Sequence, residues 1–455
     1  MFRSEKSGFL SGVIEGFYGP PWSTTERMQL FDRMAGWGMN TYFYCLKDDA
    51  KNRAIWRETY SPEEAAALTD LIGACRSRGI RFVYGLSPGL DIRYTSEADS
   101  ATLRRRFEQM LGLGCRDFAL LFDDIPDRME DADLARWGSL AAAQCAVTNA
   151  LHAWTRERAP EGRFLFCPTP YCSRMLSAKH GGAGYLQEVG EALDAAIDVL
   201  WTGSEIISPV IGVAHVEDLQ RLLRRKPVIW DNLHANDYDG RRFFCGPYSG
   251  RPIELKQAVS GILTNPNCEY ALNEVPFRTF ADYLRTTDTW RPREAYLNAM
   301  KEWHSNFATF GHPLELEDLV FLGDCYYLPH EEGSLAVQLY GQLRDLLERD
   351  PSTWGSEAAE IRERVVRLRD ICARMANLRS RPLFYALSRR IWELREEMDL
   401  LDRYLTTRIK DPGPDVFCGS DFHLPGTYRG GMVAKLQRLL VQTVDGNFDP
   451  ATLRP

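Results

Sequence analysis

Asp117-Phe118-Ala119-Leu120-Leu121-Phe122-Asp123-Asp124 is the stretch on which the reading of this chain turns. An apolar run rich in large side chains ends in two adjacent carboxylates. Taking an unpaired carboxylate out of water costs several kcal/mol, of the order of ~2–7 for polar groups and more for charged ones, so the tip of a buried strand is an expensive place for two. Side by side they also repel, so one pKa is expected to rise and the other to stay low. Such a pair suits acid–base chemistry on a neutral, polar substrate such as a sugar. Taken alone, the same pair also reads as an N-cap and a turn residue before the next helix. The surrounding chain decides between the two.

From residue 11 to 285 short apolar strands alternate with amphipathic helices. Strands are expected over Ser11–Phe17, Thr41–Leu46, Arg81–Leu86, Asp117–Phe122, Arg163–Cys167, Ile197–Trp201, Pro227–Trp230 and Gly261–Leu263. Helical periodicity marks Ser23–Trp37, Ser61–Arg78, Ala101–Leu113, Ala132–Arg156 and Val216–Arg225. Ser23 with Glu26, and Ser61 with Glu64, read as capping boxes. Arg241–Glu254 reads as a loop. This alternation predicts an α/β fold, a (β/α)8 TIM-type barrel. A doubly wound open sheet is the alternative, but no Gly-rich phosphate loop follows the first strand.

In such a barrel, chemistry gathers where strands end and βα loops begin. Those positions hold Glu15 to Trp22, Lys47-Asp48-Asp49, Ser87 to Asp91, Asp123-Asp124, Pro168 to Tyr171, Trp201-Thr202-Gly203, Trp230 to Asp237 and Thr264 to Asn267. Carboxylates and amides suit the hydroxyl edge of a sugar, and Trp and Tyr suit its C–H faces. A ligand lacking the matching hydroxyls leaves buried polar groups unpaired at about 1–3 kcal/mol each.

Beyond residue 290 the strand signal fades. Leu335–Arg349, Ser356–Asn377 and Leu383–Leu405 carry helix-period apolar residues. Leu387, Ile391, Leu394, Met398 and Leu401 form one stripe, which reads as a bundle face or, alternatively, a homodimer surface. Lys410 to Asp415 reads as a loop or linker, and a short helix is expected around Met432–Val441. The division expected is 1–290 for a catalytic barrel and 291–455 for an α-helical, bundle-like domain with a C-terminal tail.

The chain has 455 residues, 44% hydrophobic and 26% charged, an ordinary soluble balance. Its net charge of −8 argues against nucleic acid as a partner. No signal-peptide pattern and no membrane-length apolar run is evident. Eleven cysteines, an odd number without Cys-x-x-Cys, include Cys45, Cys115, Cys167 and Cys268 in or beside apolar runs. They predict small core residues in a reducing cytoplasm. The eight histidines are scattered, so no metal site and no cofactor is expected.

Seven blocks in order resemble a known family. They are Gly12-Val13-Ile14-Glu15-Gly16-Phe17-Tyr18-Gly19 followed by Pro21-Trp22; Leu46-Lys47-Asp48-Asp49; Leu120-Leu121-Phe122-Asp123-Asp124-Ile125; Phe166-Cys167-Pro168-Thr169; Leu200-Trp201-Thr202-Gly203; Val228-Ile229-Trp230-Asp231-Asn232; and Leu263 to Glu269. Together they are similar to the O-GlcNAcase and hyaluronidase-type glycoside hydrolases, family eighty-four. The resemblance implies a retaining β-N-acetylglucosaminidase acting on β-linked N-acetylglucosamine, including the sugar carried on Ser or Thr of proteins. It implies substrate assistance, in which the 2-acetamido oxygen attacks the anomeric carbon and forms an oxazoline, unlike the scheme in which an enzyme carboxylate is the nucleophile. Held in place, such an internal nucleophile has a large effective molarity.

By position within these motifs, the resemblance implies that Asp123 binds the acetamide N–H and that Asp124 is the general acid and base. It implies that Gly16 and Lys47 bind sugar hydroxyls and that Tyr171 and Trp230 shape the acetamide pocket. Asn232, Asp237 and Asn273 would bind the hydroxyl edge, with Tyr238 flanking. Partners implied are N-acetylglucosamine-bearing glycoproteins, glycopeptides or glycosides. The chain departs from the pattern at Pro170 beside Tyr171, and Asn273 in Ala-Leu-Asn-Glu matches loosely. Three alternatives stay open: a hexosaminidase acting on cell-wall or glycosaminoglycan fragments, a barrel enzyme forming a Schiff base on Lys47, and a non-hydrolytic sugar-binding barrel.

Overall fold

The computed structural model describes residues 8–126, 128–176, 182, 184–411, 431–443 and 447–451. Eight strands form one closed parallel barrel in sequence order. They are β1 (Leu10–Glu15), β2 (Thr41–Tyr44), β3 (Arg81–Leu86), β4 (Asp117–Leu121), β5 (Phe164–Cys167), β6 (Asp198–Trp201), β7 (Val228–Asp231) and β8 (Gly261–Thr264). Closure comes from β1, which pairs with β2 through Gly12 and Thr41 and with β8 through Leu10 and Gly261. The chain therefore folds as a (β/α)8 barrel with a helical C-terminal region, as its alternation predicts.

Period-two alternation explains the barrel's filling. On β2, Phe43 and the following Cys45 join Ile14, Val83, Leu121 and Leu165 in the interior cluster. Tyr42 turns the other way, its ring edge-on to Phe31 of the helix Thr24–Trp37 at 4.9 Å. Cys45, Cys115 and Cys167 are buried free thiols, while Cys268 is partly exposed. Burial raises the pKa of the first three.

Both capping boxes form. The Ser23 hydroxyl accepts from the Glu26 amide at 3.3 Å, and Glu26 accepts from the Ser23 amide at 2.8 Å. Ser61 and Glu64 repeat the exchange. The single helix expected over Ala132–Arg156 is instead two, Asp131–Trp137 and Leu140–Arg156. Gly138 ends the first in the left-handed conformation, and the Ser139 hydroxyl caps the second by accepting from the Ala142 amide at 3.0 Å. Gly-Ser was the signal, hidden inside a continuous apolar periodicity.

At the end of β7, Asp231 and Arg251 are both wholly buried and meet through two bonds of 2.6 and 2.8 Å. Arg251 also donates to the carbonyls of Ser208, Pro209 and Ser249. Asp231→Ala would strand that guanidinium without its counter-charge, at an expected cost of about 3–5 kcal/mol in urea unfolding.

By packing, the chain divides into two compact units. The first comprises Met1–Asp237, Ser249–Cys268 and Ala281–Trp290, and the second Tyr238–Tyr248, Glu269–Phe280 and Arg291–Pro455. In the second, the helices Glu357–Arg374 and Arg381–Lys410 pack side by side, with Ile361, Val365 and Leu368 buried on one and Leu394, Leu401 and Leu405 on the other. Arg362 pairs with Asp402 at 2.6 Å between them. The stripe Leu387, Ile391, Leu394, Met398, Leu401 is buried within this chain, so the bundle-face reading describes it. The helix expected over Met432–Val441 stops at Gln437, and Leu440–Gln442 pairs antiparallel with Phe448–Pro450. The linker expected over Lys410 to Asp415 lies, from residue 412, outside the described residues. No described helix is long and apolar enough to cross a membrane.

Candidate active site

The loop after β1 is built on a buried carboxylate. Glu15, wholly buried, receives Arg27 through two bonds of 2.9 and 2.8 Å, the Tyr42 hydroxyl, and the Trp22 amide at 2.9 Å. Trp22 in turn donates its indole N–H to the Cys268 carbonyl at 2.7 Å, tying this loop to the one after β8. Gly16 follows Glu15. A Cβ there would lie 2.7 Å from the Cys45 sulfur and 3.2 Å from the Trp230 ring, so close approach demands glycine.

Asp123 and Asp124 emerge from the tip of β4 in different environments. Asp123 is buried, and its Oδ2 accepts from Lys47 Nζ at 2.5 Å. Its Oδ1 is buried with no hydrogen-bond partner, which leaves one acceptor position unsatisfied. Burial alone would raise the Asp123 pKa, but the Lys47 charge and hydrogen bond outweigh it and hold the carboxyl below the usual range. Lys47 responds reciprocally: burial would lower its pKa, and Asp123 raises it instead. Asp123 is thus held ionised by its lysine.

Asp124 is solvent-exposed and has φ +51°, one of two non-glycine residues in the left-handed region among the described residues. That conformation costs about 1–3 kcal/mol and persists where its surroundings enforce it. Two phenols reach its carboxylate: Tyr171 donates to Oδ1 at 2.8 Å and Tyr18 to Oδ2 at 3.0 Å. Burial first, then Asp124, raises the Tyr171 pKa, and burial pushes Tyr18 up to about 12 despite nearby Lys47. Both phenols are therefore donors across the neutral range. The Tyr18 amide also donates to Asp237 Oδ2 at 2.9 Å, and burial raises the Asp237 pKa.

The floor comes from β7 and β8. Trp230 sits edge-on to Phe43 at 5.7 Å and donates its indole N–H to Asn232 Oδ1 at 3.0 Å. The same oxygen accepts from Asn265 Nδ2 at 2.9 Å, while Asn232 Nδ2 donates to the Ile206 carbonyl at 2.8 Å. An ion-paired lysine, two acids of unlike exposure, phenol donors and an indole wall thus share one rim, where acid–base work beside an amide-bearing sugar is chemically possible.

A family model described as beta-N-acetylglucosaminidase matches residues 11–312. The chain belongs to the beta-N-acetylglucosaminidase family. Within 278 residues, 61% of this chain, it is 48% identical to the protein O-GlcNAcases of Rattus norvegicus and Mus musculus. The matched stretch spans 30% of the length of each of those relatives. A mutant of the Thermobaculum terrenum O-GlcNAc hydrolase superposes with a TM-score of 0.78 at 28% identity, covering 89% of this chain and 85% of that one.

Of the ten site residues read from the sequence, this member of the family carries eight in its barrel unit: Gly16, Lys47, Asp123, Asp124, Tyr171, Trp230, Asn232 and Asp237. Hydrogen bonds or close approach link Lys47 with Asp123, Tyr171 with Asp124, and Gly16 with Trp230 and so Asn232. Tyr238 and Asn273 fall in the second unit, where Tyr238 stacks on Phe244 at 6.5 Å and the buried Asn273 donates to the Glu269 carbonyl at 3.1 Å. Three residues were given no role. Tyr18 and Asn265 lay within strand-end stretches already read as the barrel's rim, and Arg53 lay beyond the second motif. Asn265 directly follows β8; it is buried, and its Oδ1 has no hydrogen-bond partner. The strand-end rule that found Asp123 points to Asn265 equally well.

Proposed function

We propose that this chain is a retaining β-N-acetylglucosaminidase that removes β-linked N-acetylglucosamine, including the sugar on Ser or Thr of proteins, with the substrate's acetamide as nucleophile. The observation that carries the reading is the unlike pair at the tip of β4: Asp123 buried, locked to Lys47 and left with one free acceptor oxygen, and Asp124 exposed between two phenol donors. The names of the mammalian and Thermobaculum relatives support the same substrate class.

In this reading the acetamide N–H donates to Asp123 Oδ1, which orients the carbonyl oxygen toward the anomeric carbon and stabilises the charge of the forming oxazolinium. Asp124 protonates the departing oxygen, then takes a proton from the water that opens the oxazoline. Tyr171 and Trp230 enclose the acetamide. Gly16, Lys47, Asn232 and Asp237 meet the hydroxyls. A Schiff base on Lys47 is disfavoured, because its raised pKa keeps it an ammonium ion. The free buried thiols fit a reducing cytoplasm as the place of action.

The test compares an aryl β-N-acetylglucosaminide with the corresponding glucoside, which lacks the acetamide, and adds an O-GlcNAc peptide. Turnover of the acetamido sugars alone is expected, whereas equal turnover of the plain glucoside would refute substrate assistance. The same assay gives a pH prediction. Without Lys47's charge and hydrogen bond, burial is opposed less and the Asp123 pKa rises from its wild-type position. Since Asp123 must be ionised to serve, Lys47→Met should move the acid limb of the kcat/KM profile to higher pH. A limb that stays put would separate Lys47 from Asp123's titration.

A further inference from the structure

The loop that carries Lys47 grips the β4 tip a second time, through Arg53. This guanidinium donates from Nη2 to the Asp124 carbonyl at 2.6 Å and from Nη1 to the Asp123 carbonyl at 3.3 Å. In a pleated strand successive groups alternate sides, so one side chain does not ordinarily span two consecutive carbonyls. The left-handed turn at Asp124, φ +51°, brings both within reach of one planar fork. Arg53 is itself footed firmly. Its amide donates to the Ala50 carbonyl at 3.2 Å, and the preceding Asn52 ties to β3 by donating to the Gly85 carbonyl and accepting from the Ser87 amide at 2.9 Å.

We propose that Arg53 is a positioning residue that holds the left-handed turn and thereby aims Asp124 at the leaving-group oxygen. This rests on the glycosidase reading above, with Asp124 as the acid. Arg53 makes no side-chain bond to either carboxylate among the described contacts; it holds the backbone that carries them, and its charge adds a smaller pull that helps Lys47 keep the Asp123 carboxyl low. If the fork is removed, the turn relaxes toward an ordinary conformation and the Asp124 carboxyl swings away, while Asp123 remains anchored by Lys47. The consequence is selective: protonation of a poor leaving group suffers, whereas a leaving group that departs unprotonated is spared.

The experiment measures Arg53→Ala and Arg53→Lys beside wild type on a methyl and a dinitrophenyl β-N-acetylglucosaminide, with circular dichroism to verify folding. For Arg53→Ala, kcat/KM on the methyl glycoside is expected to fall about 10²-fold, the scale of an ångström-sized misplacement. On the dinitrophenyl glycoside kcat/KM, which reports oxazoline formation and not its opening by water, should change only a few-fold. Added guanidinium ion should restore methyl-glycoside turnover to the alanine variant. Arg53→Lys supplies one compact donor where a fork is needed, so it should show the same split to a smaller degree; if the alanine variant does not fold, the lysine variant decides. Equal losses on the two glycosides, or no loss on either, would overturn this proposal while leaving the glycosidase reading intact. Wild-type silence on both substrates would overturn that reading and this proposal with it.

Discussion

Asp124→Asn should slow hydrolysis of an alkyl β-N-acetylglucosaminide by about 10²–10⁴-fold, the usual contribution of a positioned general acid. The same variant should keep most of its rate on a dinitrophenyl glycoside in the step that forms the oxazoline, because that leaving group hardly needs a proton. Asparagine is close in size and can still accept hydrogen bonds from Tyr18 and Tyr171 at its carbonyl oxygen, so little structural disturbance is expected. What is lost is the transferable proton. Steady-state rates on a graded series of leaving groups check this: the variant's rate should depend steeply on leaving-group acidity and the wild type's only weakly. A variant as fast as wild type across the series would remove Asp124 from the role of acid.

Asp123→Asn should behave differently and slow both glycosides alike, by about 10²–10³-fold, the scale of losing one preorganised electrostatic partner of the transition state. The amide is neutral, so it neither stabilises the oxazolinium charge nor balances Lys47. That second loss should be visible in stability. Lys47 and Asp123 are nearly out of water, with side chains 4% and 10% exposed, and removing one partner from such a pair costs about 3–5 kcal/mol. The effect is pH-dependent with a definite sign. Asp123's folded pKa is depressed below its unfolded value, so its contribution is full above roughly pH 4 and is lost as pH falls through the folded value. Wild type should therefore lose stability over that acid window, and Asp123→Asn should show a flatter profile in urea unfolding from pH 7 to pH 3.

The two variants separate because one strand delivers two identical side chains into unlike surroundings. Much of that was legible in the sequence. The apolar run of β4, its closing carboxylates, and the alternation of strands and helices from Leu10 to Thr264 led directly to a barrel rim and to Asp123 and Asp124 on it. The capping boxes at Ser23 and Ser61 were readable because both partners lie three residues apart. The break at Gly138 was less visible, since helical periodicity continues on both sides of it. Pairings over long sequence distance were not legible at all. Lys47 meets Asp123 across 76 positions, Arg53 meets Asp124 across 71, and Tyr18 meets Asp124 across 106. Such contacts follow from the order in which strands close the barrel rather than from local pattern, which also explains why Arg53 carried no signal. The left-handed turn at Asp124 was hidden for a different reason. Aspartate tolerates that region better than most residues but does not announce it as glycine would.

The central claim is that the sugar's own acetamide oxygen attacks the anomeric carbon. Fluorination of the acetamide methyl tests it most directly, because each fluorine draws electron density from that oxygen and changes little else in the bound sugar. Aryl β-glucosaminides carrying acetyl, monofluoroacetyl, difluoroacetyl and trifluoroacetyl groups should be cleaved progressively more slowly, with the logarithm of kcat falling steadily along the series. Rates independent of fluorine content would contradict the account and point to a nucleophile supplied by the protein or by water.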